Sequence, residues 1–158
     1  MIILGPQCSG KTTLARFLRK NNSTLPILEE DELFTELNGG RYPQDVEIKE
    51  NELRPQLEEK NRQSQNIIFI TSYCNPVLLK ELKSKGFKII QLVLSQDEFQ
   101  KRNERRIRED GYADANTWAK EIFSFHDDVT REGWADKSID ANQPIEKVAK
   151  EVMALLEG

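Results

Sequence analysis

The chain has 158 residues, 37% of them apolar and 32% charged, with a net charge of −4. It is therefore long enough to bury a core without disulfides or metals, and an isoelectric point near 5.2 argues against a general electrostatic grip on long nucleic acid. Cys8 and Cys74 are too few for a disulfide framework, no leader-like segment precedes Met1 and no apolar stretch is long enough for a membrane span, so the expectation is one cytoplasmic domain without a membrane partner.

Short apolar runs alternate with longer amphipathic ones along the chain, the order of parallel βαβ units. Residues 1–4, 25–28, 67–70, 89–94 and 138–140 read as buried strands, being short, rich in Ile, Val and Leu, and bounded by polar or turn residues. Helical patterns follow them. Residues 11–20 continue directly from a glycine-rich loop, and 75–85 open with Pro76 and stop at Gly86. Residues 97–109 are preceded by Ser95 with Glu98 three positions on, a capping-box pattern. The run 115–131 carries Trp118, Ile122, Phe125 and Val129 as an expected buried stripe, and the last helix, from Gln143-Pro144, buries Ile145, Val148, Val152 and Leu155. Residues 38–60, with Gly39-Gly40, Pro43 and Pro55, predict a loop followed by a broken helix. Together these make an α/β domain, a three-layer doubly wound sheet of about five parallel strands. Its ligands are expected at the carboxyl ends of the strands.

Gly5-Pro6-Gln7-Cys8-Ser9-Gly10-Lys11-Thr12 fits G-x-x-x-x-G-K-[ST] at every fixed position, between a strand and a helix as that motif requires. The glycines allow a tight turn whose N–H groups converge on an anion, and the following helix adds its positive end, with Thr13 in its first turn. Lys11 is expected on the β- and γ-phosphates of ATP and the Thr12 hydroxyl on Mg²⁺. A chance glycine turn capping a helix is the plainer alternative. Cys8 reads as a small loop residue, although a helix N-terminus favours a thiolate.

Phosphate loops serve kinases, switches and motors alike, so the rest of the chain must discriminate. Glu29-Glu30-Asp31-Glu32 ends the second strand. A kinase needs a carboxylate beside the γ-phosphate to orient a hydroxyl and accept its proton, and Asp31 is the expected base and second metal ligand. Glu29 and Glu32 read as helix-capping acids. After the fourth strand, Arg102 and Arg106 lie on one helical face with Arg105 beside them, placed to neutralise the transferring group; residues 102–115 would close as a lid about Asp110-Gly111. A solvated basic face is the ordinary alternative. The lone His126 is expected to be a surface or packing residue, and Tyr73 is split evenly between stacking on a base and burial at the sheet edge.

These features resemble the P-loop kinase family that includes nucleoside monophosphate, shikimate and gluconate kinases and the kinase domains of polynucleotide kinases. The likeness rests on the loop, an acid after strand two, Arg102-x-x-x-Arg106 after strand four and Ile139-Asp140-Ala141-Asn142 before the last helix, and it covers nearly the whole chain. It implies that the segment after strand five packs on the adenine base, which would involve Asn142 and Gln143, and that the arginines contact phosphates. Where many relatives have an acid after strand three, this chain has Thr71-Ser72-Tyr73-Cys74-Asn75-Pro76. Mg²⁺ would then depend on Thr12, water and Asp31.

The leading expectation is an ATP-dependent kinase for a nucleoside monophosphate or a similar small acceptor, with residues 33–63 as the acceptor segment and Arg41 or Arg54 on its phosphate. A polynucleotide 5′-hydroxyl kinase, suggested by Asn75-Pro76 and Arg102-Asn103, is the alternative within enzymes. It is weakened by the acidic charge. A nucleotide-binding regulatory module is the alternative outside them; against it, the chain has no N-K-x-D base-recognition tetrapeptide.

Overall fold

The computed structural model describes residues 1–22, 24–63 and 66–157. A single parallel sheet is built from β1 (Ile2–Leu4), β2 (Ile27–Glu29), β3 (Ile68–Thr71), β4 (Ile89–Val93) and β5 (Lys137–Asp140), in the order β2-β3-β1-β4-β5. Among the described residues, seven helices flank it: α1 (Lys11–Asn21), α2 (Glu30–Leu37), α3 (Arg54–Gln63), α4 (Pro76–Ser84), α5 (Gln96–Asp110), α6 (Ala119–Arg131) and α7 (Ile145–Glu157). Alternation along the central strand sends its side chains into two cores. Ile3 packs with Leu14, Leu18, Phe99 and Val152 beneath α1, α5 and α7, whereas Ile2 and Leu4 pack with Phe34, Leu57, Leu79 and Val129 beneath α2, α3, α4 and α6.

β1 lies in the middle, with Ile3 opposite Ile70 of β3 and Ile90 of β4. The chain winds out through β2 and β3 on one side of β1, and through β4 and β5 on the other. The winding therefore reverses beside β1, and the crevice for a ligand opens at its carboxyl end.

Local departures from the sequence pattern have local causes. β2 begins at Ile27, not Leu25, because Pro26 has no N–H to give; its carbonyl accepts from the Ile68 amide at 2.9 Å. The expected helix over 115–131 is a 3₁₀ turn, Ala115–Trp118, followed by α6. Asn103 and Asp114 pin that turn, through Ala115 N to Asn103 Oδ1 at 3.0 Å and Asn116 N to Asp114 Oδ1 at 2.9 Å. Trp118 consequently stands off the buried stripe at 50% exposure, while Phe125 and Val129 remain in it. The loop after α2 leads into a π-helical stretch, Ile48–Leu53, that runs straight into α3. The Arg54 amide reaches back five residues to the Lys49 carbonyl, a widening that accommodates Pro55, which has no N–H and crowds the preceding turn.

Candidate active site

The phosphate loop leaves the centre of the sheet. Gly5 N donates to the Thr71 carbonyl at 3.2 Å, tying the loop to the end of β3. A Cβ at Gly5 would stand 2.5 Å from Ser9 Oγ and 3.1 Å from Leu92 Cβ, so only glycine fits. Cys8 and Gly10 take positive φ values of 64° and 85°, which turn the backbone inward. Among the described residues, the amides of Gln7, Cys8 and Gly10 have no partner, and the Ser9 hydroxyl is buried without one. Lys11 folds over this ring of donors, its Nζ giving hydrogen bonds to the Gly5 carbonyl at 2.8 Å and the Pro6 carbonyl at 2.7 Å. Burial pushes its pKa down to about 8, against the upward pull of Asp31 and Glu30.

The four acids after β2 separate into distinct environments. Glu29 and Glu32 form a reciprocal capping box at the start of α2, and Arg19 binds Glu32 at 2.5 Å and Glu29 at 3.4 Å. Glu30 turns across the sheet edge, accepting from Thr71 Oγ1 at 2.6 Å and from Arg54 at 2.7 Å. It thus stands where β3 ends, the place for which the sequence offers no acid of its own. Asp31 is exposed and has no side-chain hydrogen bond or ion pair among the described residues, though its charge is felt at Lys11.

Arg102 and Arg106 both face the loop from α5, but in different ways. Arg102 is engaged throughout, giving hydrogen bonds to the Cys8 carbonyl, the Ala141 carbonyl and Asn142 Oδ1, each at 3.1 Å, and to Glu98 at 2.9 Å. It braces the phosphate loop against the segment after β5. Arg106 lies 3.1 Å from Cys8 Sγ and 4.3 Å from the Tyr112 ring centre, with Arg105 exposed beside it. Residues 102–110 are continuous helix ending at Gly111 in the left-handed region, so the coil available for a lid is 111–114. Glu98 spends its side chain on Arg102 and leaves the expected capping box at Ser95 one-sided.

A crevice of roughly 160 Å³ opens beside the loop between Ser9, Gly10, Thr13, Arg102, Ala141 and Gln143. Gln143 lines it, while the Asn142 side chain is turned to Arg102 and the Asn142 backbone N–H donates to Asp140 Oδ1 at 2.9 Å. Its position and apolar floor suit the base and sugar of a nucleotide whose phosphates lie on the loop.

On the other side of the loop lies the segment 33–63. Arg54 is bound by Glu30 and Glu50 and sits over the rings of Phe34 at 5.2 Å and Tyr73 at 5.6 Å. Burial opposes its charge, but the Glu50 hydrogen bond and the charge of Glu30 outweigh burial and raise its pKa. Tyr73 is half-buried against Phe125 at 4.8 Å, and its hydroxyl has no partner among the described residues.

His126 is a packing residue as expected, and a more engaged one. It is 5% exposed, with Nε2 3.1 Å from the Ser72 carbonyl and its backbone carbonyl held by Gln91 at 2.8 Å. Burial pushes its pKa down to about 4, the charge of Lys11 adding to the effect, while hydrogen bonds to the Ser72 and Gly5 carbonyls pull the other way. It falls on the 122-125-126-129 stripe of α6, a signal present in the spacing. Glu30 and Glu50, by contrast, were hidden among ordinary surface acids.

Among the described residues, no group of three or more His, Cys, Asp and Glu side chains converges as a metal site. The donor set that is present, the Thr12 hydroxyl and the Asp31 carboxylate, consists of hard oxygens exposed beside the loop. It fits Mg²⁺ that arrives on phosphate oxygens rather than a protein-caged ion.

No family model and no curated protein matches the chain. Solved structures do. Shikimate kinase from Aquifex aeolicus is 22% identical with a TM-score of 0.69, covering 99% of this chain and 95% of its own. A gluconokinase from Sinorhizobium meliloti is 16% identical with a TM-score of 0.61, covering 97% and 88%. The YorR protein of Bacillus subtilis, solved in complex with phosphorylated GDP, is 21% identical with a TM-score of 0.65, covering 99% and 94%. The chain has the fold of these small P-loop kinases. Among the described residues, no helix is long and apolar enough to cross a membrane.

Proposed function

We propose that the chain is an ATP-dependent phosphotransferase that moves the γ-phosphoryl group to a hydroxyl of a small molecule. One juxtaposition carries this reading. At the carboxyl edge of the sheet, a loop of open amides lies beside Lys11, and Asp31 stands near it with no partner of its own. In this scheme the Gln7, Cys8 and Gly10 amides and Lys11 hold the β- and γ-phosphates, Arg106 approaches the transferring group, and Asp31 orients the acceptor hydroxyl and takes its proton. Arg102 keeps the loop in register with the base crevice. Mg²⁺, held by Thr12 and Asp31, would supply positive charge to the phosphates. The kinase names of the structural neighbours support the reaction class.

The sequence favours a nucleoside monophosphate as acceptor, with Arg41 or Arg54 on its phosphate. Arg54 is already bound by two carboxylates, which counts against an acceptor phosphate at that position. The test is ADP release from Mg-ATP against nucleosides, nucleoside monophosphates, sugars, sugar acids and 5′-hydroxyl oligonucleotides. Acceptor-dependent turnover lost in Lys11→Ala and in Asp31→Asn is the expected result. Tight ATP binding with no stimulation by any acceptor would sink the kinase reading in favour of a regulatory module.

A further inference from the structure

Resting on the kinase reading, we propose that the acceptor is an uncharged hydroxyl compound, and that Glu30 and Glu50 enforce this by consuming the charge of Arg54 beside the attacking position. Arg54 is the first residue of α3, on this side of the phosphate loop. It gives NH1 to Glu30 at 2.7 Å and NH2 to Glu50 at 3.0 Å, with its Nε also on Glu50. Its remaining surroundings are the faces of Phe34 and Tyr73, and the side chain is 15% exposed. Glu30 is itself anchored by the Thr71 hydroxyl at 2.6 Å, so the ion pair is built into the end of β3 rather than draped over the surface.

The other charges facing this space do not reverse the balance. From α2 come Glu30 and Asp31, from the π-helical stretch Lys49 and Glu50, and from α3 Arg54 and Glu58, whose charge reaches both Tyr73 and Cys74. Lys49 is 3.8 Å from Glu50 and lies over the rings of Phe34 and Tyr42. His126, on α6, is buried and neutral at physiological pH. Arg62 of α3, whose charge also reaches Cys74, is paired with Glu81, and Lys11 is held by the Gly5 and Pro6 carbonyls, so each of these four cations is already engaged. An acceptor bearing a phosphate or carboxylate would either face uncompensated negative charge or have to displace Glu50 from Arg54. The groups left open are those that recognise hydroxyls: the Asp31 carboxylate and the Tyr73 phenol, with the Tyr73–Phe125 pair as an apolar wall.

Two measurements decide the point. The first compares kcat/KM for nucleosides and neutral sugars with that for the matching monophosphates and sugar acids. The expected outcome is at least 100-fold preference for a neutral compound, and a shift of about tenfold or more toward its anionic counterpart in Glu50→Gln. A wild-type preference for the anion, or an unchanged ratio in the variant, overturns the proposal. The second needs no acceptor. With the loop filled by a non-hydrolysable ATP analogue and Mg²⁺, sulfate is titrated while the Arg54 Nε–H resonance is followed by ¹⁵N NMR. Sulfate should leave it unmoved in the wild type and shift it in Glu50→Gln; a millimolar response in the wild type overturns the proposal. If no compound is phosphorylated at all, the kinase reading fails, and the sulfate titration still decides whether this pocket excludes anions.

Discussion

The nucleotide side of the cleft is made largely of main chain: open amides of Gln7, Cys8 and Gly10, the Gly5 and Pro6 carbonyls under Lys11, and two residues with left-handed backbone. The side proposed for the acceptor is made of side chains: Glu30, Glu50 and Arg54 in one ion-paired group, with Tyr73 and Asp31 around it. A main-chain site depends on a few residue types at fixed spacing, because only glycine fits at Gly5 and the loop must turn where Gly10 turns. A side-chain site can be assembled from acids and arginines that look like any solvated surface. The first therefore constrains sequence tightly, and the second hardly at all.

The largest effect expected on the nucleotide side is from Lys11→Ala. It should lower acceptor-dependent turnover by about 10³-fold or more in an ADP-release assay. Retention of activity would show that the amides alone carry the phosphates. Next comes His126, which touches both sides through the Ser72 and Gly5 carbonyls. Its folded pKa of about 4 lies below the ordinary 6.5, so the unfolded chain takes up the proton first as pH falls. Stability should be intact above pH 6.5 and decline toward pH 4 by up to about 3 kcal/mol. Urea unfolding at several pH values would measure this, and His126→Gln should flatten the dependence over that window.

Arg102→Ala removes the brace between the loop and the base crevice. It should raise the KM for ATP about tenfold while changing kcat less, since hydrogen bonds to a charged group contribute about 1.5–3 kcal/mol. An equal fall in kcat would instead place Arg102 on the transferring group. Burial holds the Lys11 pKa down to about 8, so nucleotide affinity should be full below that value and weaken by up to about tenfold per pH unit above it. Isothermal titration from pH 7 to 9 reads this directly. The smallest effect belongs to Asn75→Ala, which loses the cap on α4, a 2.9 Å bond from Val77 N. It should cost about 1 kcal/mol in unfolding experiments and leave kinetics untouched, because α4 supports the sheet from outside the cleft.

This division explains what was legible in advance. Strand content, the five-strand parallel sheet and the phosphate loop follow from apolar runs and a motif whose physics is local. The break at Trp118 was not legible, because Asn103 and Asp114 fix that turn from outside the helical pattern. Nor was the position of Glu30 at the end of β3: it depends on β2 and β3 being neighbours, whereas Glu30 and Thr71 are 41 residues apart in sequence. Arg102 and Arg106 were correctly placed on one face. Only the fold shows that Arg102 is spent on the carbonyls of Cys8 and Ala141.

That bracing has a thermodynamic corollary. Because one guanidinium clasps both the loop proposed to cradle phosphates and the segment beside the crevice proposed for the base, the two ends of a nucleotide would meet a common mechanical element. Ordering it for one end leaves less to be ordered for the other. Adenosine and inorganic triphosphate offered as separate fragments should therefore report on each other's binding, and the whole nucleotide should bind more tightly than its parts suggest.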